Sequence, residues 1–406
     1  MNLRPLLSHP AVDRARARLH TIDPETLAEQ VELAQIAAPP FGEAPRGRHV
    51  QARFAALGLK HVHSDEVGNV RGTLPRTENT AETAEPVIVS AHLDTVFPAE
   101  VSLAVRRDGD RIHVPGISDN ARGLAGLLAL IRVLQEERLS TTHPVVFIAT
   151  VGEEGAGDLR GVKHLFRSGA AMCSAHAFLS LDGTGLRRIV HRAVGSRRLR
   201  LSVHGPGGHS WADWGSANPL HAIGRGIAGM REIELPTDPR TTLTVARAGG
   251  GTSVNAIPEE AWIEMDLRSE GGTELDILEA RVRDAIGTAV DLENARRSRR
   301  TRALQARYTV IGDRPGGTIS PDTALVRAAV AATRALGARP ELAASSTDAN
   351  VAIALGIPSV TIGLGGESGG IHTLNEWYSN ERGAQGLERA LLLLLAAAGL
   401  GGVRAG

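Results

Sequence analysis

Three short and almost continuously apolar segments constrain the fold of this chain more than any other feature. They occupy residues 87–89, 145–149 and 178–181. Runs of this length suit strands that are buried on both faces, and the helical pattern of residues 124–134 separates the first two. A fourth run, residues 360–362, returns to the same sheet. The sequence therefore predicts an α/β fold with helices on the faces of the sheet.

The segment of residues 192–313 has a different pattern. Its alternating and helical apolar patterns predict the order β-α-β-β-α-β, which is the ferredoxin-like arrangement and can form a compact domain by itself. We therefore expect a catalytic domain formed by residues 1–191 and 314–406. The inserted domain of residues 192–313 interrupts it.

Composition argues against several other classes of protein. The chain has 406 residues with 45 basic and 45 acidic side chains, so no net charge favours nucleic acid or a membrane surface as a partner. Its single cysteine, Cys173, excludes an intramolecular disulfide and a cysteine-based zinc site. No apolar run reaches the roughly 20 residues that span a bilayer. The start of the chain lacks the apolar core of a signal peptide, so we expect a cytoplasmic protein.

Potential metal ligands follow the apolar runs. One pair follows the first run, another pair follows the second, and one carboxylate follows the third. Two more candidates stand before the predicted helix and after a glycine-rich segment. In this order they are His92 and Asp94, Glu153 and Glu154, Asp182, Asp119, and His372. Because the carboxyl ends of parallel strands border one crevice, these side chains can converge.

Such nitrogen and oxygen ligands suit two zinc-like ions that share a bridging carboxylate. A water held between two such ions is acidified and can attack a carbonyl that the ions polarise. Since neighbouring side chains diverge, one of Glu153 and Glu154 can bind metal while the other accepts the proton of the water. Asp94 can orient the imidazole of His92 through its second nitrogen.

This ordered set resembles the dizinc metallopeptidase family that includes peptidase T, glutamate carboxypeptidase, aminoacylase and acetylornithine deacetylase. The resemblance covers nearly the whole chain, and the inserted domain is similar to that family's lid and dimerisation domain. It implies two zinc ions per subunit, with cobalt or manganese as substitutes, and a homodimer formed through the lid. It also implies that Glu153 is the general base and that Asp94 is the partner of the first histidine. The implied ligands are His92 with Asp182, Glu154 with His372, and Asp119 as the bridge.

The resemblance extends to the inserted domain. His209 resembles the family's lid histidine, which reaches the active site of the neighbouring subunit and stabilises the oxyanion. Asn255 and Arg268 resemble its substrate-binding residues. A guanidinium can hold a carboxylate through two parallel hydrogen bonds. Arg268 can instead pair with Asp266 or Glu264 on the surface of the lid.

The resemblance implies a zinc-dependent exopeptidase, similar to peptidase T, that hydrolyses amide bonds of short peptides. The segment from His372 to Trp377 is most similar to peptidase T. An N-acyl-amino-acid deacylase is the alternative, because pocket shape and lid closure decide the substrate. One departure from the family is Arg122, since many relatives have a lysine one position earlier, and Arg122 can replace it.

A serine hydrolase is the remote alternative. Ser368 lies in a G-x-S-x-G pattern. A nucleophile elbow leads directly into a helix and has its histidine further downstream, whereas His372 follows Ser368 closely. The sequence therefore favours the metal-dependent hydrolase.

Overall fold

The computed structural model describes residues 3–75, 84–167, 169–298 and 301–403. The chain divides into two compact units. The catalytic unit comprises Met1–Ala193 and Thr318–Gly406, and the inserted unit comprises Val194–Gly317. The predicted fold class, an α/β domain interrupted by a ferredoxin-like domain, is confirmed.

The helices and strands of the described residues are numbered in chain order. The helices are α1 (Arg4–Leu7), α2 (Pro10–Thr21), α3 (Asp23–Ala34), α4 (Ala44–Ala56), α5 (Arg122–Glu136), α6 (Arg160–Leu165), α7 (Pro219–Arg231), α8 (Gly272–Arg296), α9 (Ala324–Ala335), α10 (Ala349–Ala354) and α11 (Gly383–Ala398). The strands are β1 (Lys60–Ser64), β2 (Val70–Thr73), β3 (Val87–His92), β4 (Arg106–Asp108), β5 (Arg111–His113), β6 (Leu139–Thr141), β7 (Val145–Thr150), β8 (Ala177–Leu181), β9 (Arg188–Ala193), β10 (Gly195–His204), β11 (Gly208–His209), β12 (Thr241–Gly250), β13 (Ala256–Ile257), β14 (Glu260–Ser269), β15 (Gln305–Arg314), β16 (Gly317–Thr318), β17 (Glu341–Ser345), β18 (Ser359–Ile362), β19 (Glu367–Gly369), β20 (Trp377–Ser379) and β21 (Leu400–Val403).

The catalytic unit is built on a mixed sheet in the order β1-β2-β7-β3-β8-β18-β9, with β17 beside β9. Its central strands β7, β3, β8 and β18 are parallel and fully buried, as their continuous apolar runs predict. His92 at the end of β3 pairs with Thr150 at the end of β7. This register places the residues that follow both strands at the same edge of the sheet.

Helix α11 contains the apolar run near the C-terminus and is buried along most of its length. Its Arg389 is also buried and donates hydrogen bonds to the carbonyl oxygens of Leu186 and Gly363. Gly386 lies directly against the chain at Leu364, where a Cβ atom would overlap the carbonyl carbon. These contacts fix α11 against the loops that follow β8 and β18.

The inserted unit has an antiparallel sheet in the order β12-β14-β10-β15, with α7 and α8 packed on it. Alternate residues of β10, such as Leu199 and Leu201, are buried in a core with Ile223 of α7 and Val282 of α8. The other face carries Arg200, whose guanidinium lies 4.0 Å from the ring centroid of Trp262. One face of this sheet is therefore apolar and covered by helices, as its period-2 pattern predicts.

Among the described residues, no helix is both long enough and apolar enough to cross a membrane.

Substitution of Gly386 by alanine should destabilise the catalytic unit, because the new Cβ atom would overlap the backbone of Leu364. Overpacking of this kind costs about 1–3 kcal/mol. Gly47→Ala in α4 is the matched control, since its Cβ atom would meet Leu93 and Val70 at an ordinary 3.6 Å. Denaturant unfolding should show a lower midpoint for Gly386→Ala alone. Equal midpoints for the two variants would contradict this account of the packing.

Candidate metal centre

The candidate ligands lie where three adjacent parallel strands end. His92 is the last residue of β3, Glu153 and Glu154 follow β7, and Asp182 follows β8. His92 Nε2 lies 3.9 Å from Asp182 Oδ1. The parallel register therefore brings together side chains that are far apart in the sequence.

Asp119 comes from an irregular turn, Ile117–Ala121, that leads into α5. Its Oδ1 lies 3.0 Å from His92 Nε2, and its Oδ2 lies 3.1 Å from His372 Nε2. The same nitrogen of His372 lies 2.9 Å from Glu154 Oε1. Asp119 thus stands between the two histidines, with one carboxylate oxygen near each.

In the described part of the chain, three groups of side chains offer ligand atoms that all lie within 4.8 Å of one another. Two of the groups share Asp119, and two share His92. The groups are His92 with Asp119 and Asp182, Asp119 with Glu154 and His372, and His92 with Glu153 and Glu154.

Asp94 holds its neighbours in a different way from the expected one. Its backbone carbonyl, rather than its side chain, accepts the hydrogen bond from His92 Nδ1 at 3.0 Å, while the carboxylate lies 3.7 Å from that nitrogen. The carboxylate of Asp94 instead accepts the backbone N–H groups of Glu153 at 2.9 Å and Glu154 at 2.7 Å. Asp94 therefore orients both the imidazole and the pair of glutamates.

The carboxylates and imidazoles of this cluster shift one another's pKa values. Burial and the negative charge of Asp119 raise the pKa of Asp182 to about 7. Hydrogen bonds to Asp119 and Glu154 raise the pKa of His372 to about 10. Burial alone lowers the pKa of His92, but the carboxylates of Asp119, Asp94 and Asp182 outweigh it and hold this pKa well above its ordinary value. In the metal-free chain, protons on the imidazoles compensate the crowded carboxylates.

The residues present fit a pair of divalent cations. His92 Nε2 is buried and faces Asp119 Oδ1 at 3.0 Å, while Nδ1 is held by the carbonyl of Asp94. A neutral imidazole with its Nδ1 proton donated in this way directs the Nε2 lone pair into the carboxylate cluster. Imidazole nitrogens and carboxylate oxygens are ligands that zinc accepts without thiolate.

Sequence analysis does not single out Glu376, the residue that holds the turn at Asp119. Glu376 is fully buried and accepts hydrogen bonds from the backbone N–H groups of Gly116 and Ser118. Its position four residues after His372 is the only sequence signal, and a glutamate in such a polar turn looks like a solvent-exposed residue.

The expected residues of the inserted unit fall into two places. His209 in β11 is exposed, and it pairs with Ala256 in β13, next to Asn255. Arg268 lies near the far end of β14, where its Nε donates to Asp266 Oδ2 at 2.7 Å. The surface ion pair that the sequence left open as an alternative is therefore present.

Two other residues have contacts that bear on the sequence-based alternatives. Arg122 is fully buried and donates to the carbonyl oxygens of Leu364 and Gly383, so its guanidinium binds the backbone. The suggestion that Arg122 replaces a substrate-binding lysine is not supported by these contacts. Ser368 lies in β19 and shares a hydrogen bond with Thr184 Oγ1 at 2.8 Å, so it is not at a turn into a helix.

A fold and a site of this kind define a metal-dependent hydrolase. Residues 88–396 match the model of peptidase family M20/M25/M40. The chain belongs to this family, and the expected resemblance is confirmed.

Individual relatives are similar at low identity. Protein YqjE of Bacillus subtilis is 28% identical over 363 residues, which cover 86% of this chain and 92% of the relative. The succinyl-diaminopimelate desuccinylase of Corynebacterium glutamicum is 26% identical over 252 residues, 61% of this chain and 66% of the relative. The crystal structure of aminopeptidase PepT from Bacillus cereus superimposes with a TM-score of 0.74 at 26% identity, covering 92% of this chain and 98% of that one.

Metal binding should become tighter as pH rises. At neutral pH His372 is protonated in the metal-free protein, because its pKa is raised to about 10, and Asp182 is partly protonated, because its pKa is raised to about 7. Ligands must lose these protons, so each proton released increases the apparent binding constant up to about tenfold per pH unit. Zinc titrations by calorimetry in buffers of different ionisation enthalpy will count the protons.

His372→Ala should release fewer protons than the wild type. A binding constant that does not change, or falls, between about pH 6 and about pH 8 would contradict the assignment of these groups as ligands.

Proposed function

We propose that the protein is a zinc-dependent exopeptidase, similar to peptidase T, that hydrolyses amide bonds of short peptides. The observation that carries this proposal is the arrangement of two ligand groups around one shared carboxylate, Asp119. The likeness to the solved aminopeptidase PepT over 92% of this chain supports the peptidase assignment. The cytoplasmic location stays a prediction from the sequence.

The proposed ligands divide into two pairs with a bridge. His92 and Asp182 would hold one zinc ion, Glu154 and His372 would hold the other, and Asp119 would offer one carboxylate oxygen to each. When bound, two zinc ions lower the pKa of water and polarise the carbonyl of the substrate. The distances of 3.0 Å and 3.1 Å from the two oxygens of Asp119 to the two histidines support the bridging role.

Glu153 is the proposed general base. It is buried, and its backbone is fixed by the hydrogen bond from its N–H to Asp94. It offers a carboxylate oxygen beside His92 and Glu154, yet it belongs to neither of the groups that share Asp119. Its carboxylate accepts the proton of the attacking water and then donates that proton to the leaving nitrogen.

An N-acyl-amino-acid deacylase is the second candidate, and the similarity to a desuccinylase favours it. Both reactions break an amide bond and need the same general base, so the centre itself does not distinguish them. They differ in the groups on either side of that bond. Peptides and N-acyl amino acids must therefore be compared directly as substrates.

We further propose that the subunits form a homodimer through the inserted unit. The loop after His209 carries Trp211 and Trp214, which are 87% and 83% exposed, and Val254 nearby is also fully exposed. Large exposed apolar side chains of this kind are typical of interaction surfaces. A second copy of the chain would cover them.

His209 is suited to stabilise an oxyanion. Its Nδ1 accepts the backbone N–H groups of Trp211 at 3.1 Å and Ala212 at 3.4 Å, so the neutral ring carries its proton on Nε2. Asn255 and Arg268 are the proposed substrate-binding residues. The contact of Arg268 Nε with Asp266 leaves the two terminal nitrogens of the guanidinium for a substrate carboxylate.

The assignment of the two glutamates is tested by Glu153→Gln and Glu154→Gln. The first variant should keep its metal and lose turnover on the order of 10² to 10⁴-fold, the usual effect of a positioned acid-base group. The second should bind metal more weakly. Turnover of di- and tripeptides and of N-acyl amino acids by zinc-loaded wild type and both variants, with metal analysis, measures these effects.

Faster turnover of peptides than of N-acyl amino acids by the wild type is the expected result. The reverse order would favour the deacylase. If Glu153→Gln lost metal and Glu154→Gln kept it, the two roles would be exchanged.

The dimer proposal predicts complementation. His209→Ala alone should lose about 10² to 10³-fold in turnover, because one oxyanion donor is removed. In a mixture with Glu153→Gln, heterodimers should form sites that combine an intact Glu153 with the partner's intact His209, and activity should return. If exchange of subunits is verified by mass spectrometry and activity stays at the level of the separate variants, His209 does not act across a dimer.

A further inference from the structure

Glu376 is a fully buried carboxylate that lies outside the proposed ligand set. It is four residues after His372 and immediately before β20. In the described part of the chain, no Arg, Lys or His forms an ion pair with it. A buried carboxylate without a cationic partner is costly, and burial accordingly raises the pKa of Glu376.

The carboxylate of Glu376 accepts hydrogen bonds from one turn. Its Oε2 accepts the N–H of Gly116 at 2.8 Å. Its Oε1 accepts the N–H of Ser118 at 2.9 Å, the hydroxyl of Ser118 at 2.6 Å and the N–H of Asp119 at 3.2 Å. Glu376 therefore fixes the backbone of the turn that ends at Asp119.

Backbone hydrogen bonds also connect Glu376 to the segment that carries His372. The N–H of Glu376 donates to the carbonyl of Thr373 at 3.1 Å, and the N–H of Thr373 donates to Gly370 at 2.9 Å, so the segment forms consecutive tight turns. His372 within it has a φ angle of 65°. This left-handed conformation is uncommon for a residue with a side chain and persists only where neighbouring contacts hold it.

Strand pairing fixes the same two segments. Trp377, the residue after Glu376, pairs with His113 in β5, shortly before the turn at Gly116. Glu376 thus lies at the point where the segment carrying His372 meets the segment carrying Asp119.

We infer that Glu376 is a positioning residue that holds Asp119 and His372 in register, so that the group formed by Asp119, Glu154 and His372 is preorganised for one cation. The inference rests on the proposed metal centre. It predicts an unequal effect, because the ion held by Glu154 and His372 loses two positioned ligands, Asp119 and His372, whereas the ion held by His92 and Asp182 loses only the positioned Asp119. Loss of Glu376 should therefore weaken the first ion more than the second.

The test uses Glu376→Gln, which keeps the size of the side chain but places an amide NH₂ where donors converge. Titration of the metal-free chain with Zn²⁺, followed by calorimetry, gives the affinity of each ion. His372→Ala identifies the ion bound by this group, since that ion should be lost selectively. Removing a residue that positions a ligand typically costs about 10 to 100-fold in metal affinity. We expect that loss for the same ion in Glu376→Gln and a smaller loss for the other ion, which depends on Glu376 through Asp119 alone.

The matched control is Glu388→Gln in α11. Glu388 is also buried in the catalytic unit, but it pairs with Arg16 at 2.6 Å and His20 at 3.2 Å. This variant should unfold at a lower temperature and keep both affinities. In the double variant Glu376→Gln with His372→Ala, the remaining ion should be weaker than in His372→Ala alone only by the loss that it shows in Glu376→Gln alone.

Equal weakening of both ions, or unchanged affinities in Glu376→Gln, would overturn the inference. If the wild type binds no pair of Zn²⁺ ions, the proposed metal centre fails instead, which is a separate result. Should Glu376→Gln not fold, Ser118→Ala removes only the hydroxyl donor at 2.6 Å. It should weaken the same ion to a smaller extent, and no change in that ion would again overturn the inference.

Discussion

Repulsion between carboxylates at one edge of the parallel sheet is the constraint on which the catalytic unit depends. Asp119, Glu154 and Asp182 lie within a few ångströms of shared histidines, and the charge of Asp119 helps raise the pKa of Asp182 to about 7. The register of three adjacent strands makes this crowding unavoidable. Protons on the imidazoles and on Asp182, or cations that replace these protons, keep so many acidic groups together. The candidate metal centre therefore follows from the parallel register of the strands and from the histidine and carboxylate residues at their ends.

The two carboxylates that hold the ligand segments in place, those of Asp94 and Glu376, accept hydrogen bonds from neutral backbone donors. Asp94 accepts two N–H groups from the Glu153–Glu154 segment, and Glu376 accepts three from the turn at Asp119. The fully buried arginines bind carbonyl oxygens of the chain, as Arg122 does at Leu364. A lysine or arginine among the ligands would compete with a divalent cation for the same oxygens. Because the buried arginines bind backbone carbonyls and not the ligand carboxylates, the ligand cluster stays negative enough to bind metal.

The sequence predicts the fold and the candidate ligands well, because both depend on local patterns. Continuous apolar runs predict buried parallel strands, and the residues directly after them converge by topology. The contacts that hold those ligands are not predictable in this way. Glu376 binds Ser118 across 258 positions of sequence, and nothing near Glu376 indicates that it is buried. Arg122 is similar, since a sequence pattern does not show whether an arginine faces a substrate or, as here, two backbone carbonyls.

The choice between peptide and N-acyl amino acid must rest on residues outside the metal centre. In the proposed mechanism the imidazoles and carboxylates there bind cations or transfer a proton, and the amide that reacts is the same in both substrates. A side chain that binds a cation or transfers a proton is not available to contact the groups on either side of that bond. Discrimination requires polar groups or apolar surface that pair with one flanking group and are left unpaired by the other. Asn255 and Arg268, the proposed substrate-binding residues, have that chemistry, so exchange of these residues between peptidases and deacylases of this family should change specificity while leaving the metal ligands unaltered.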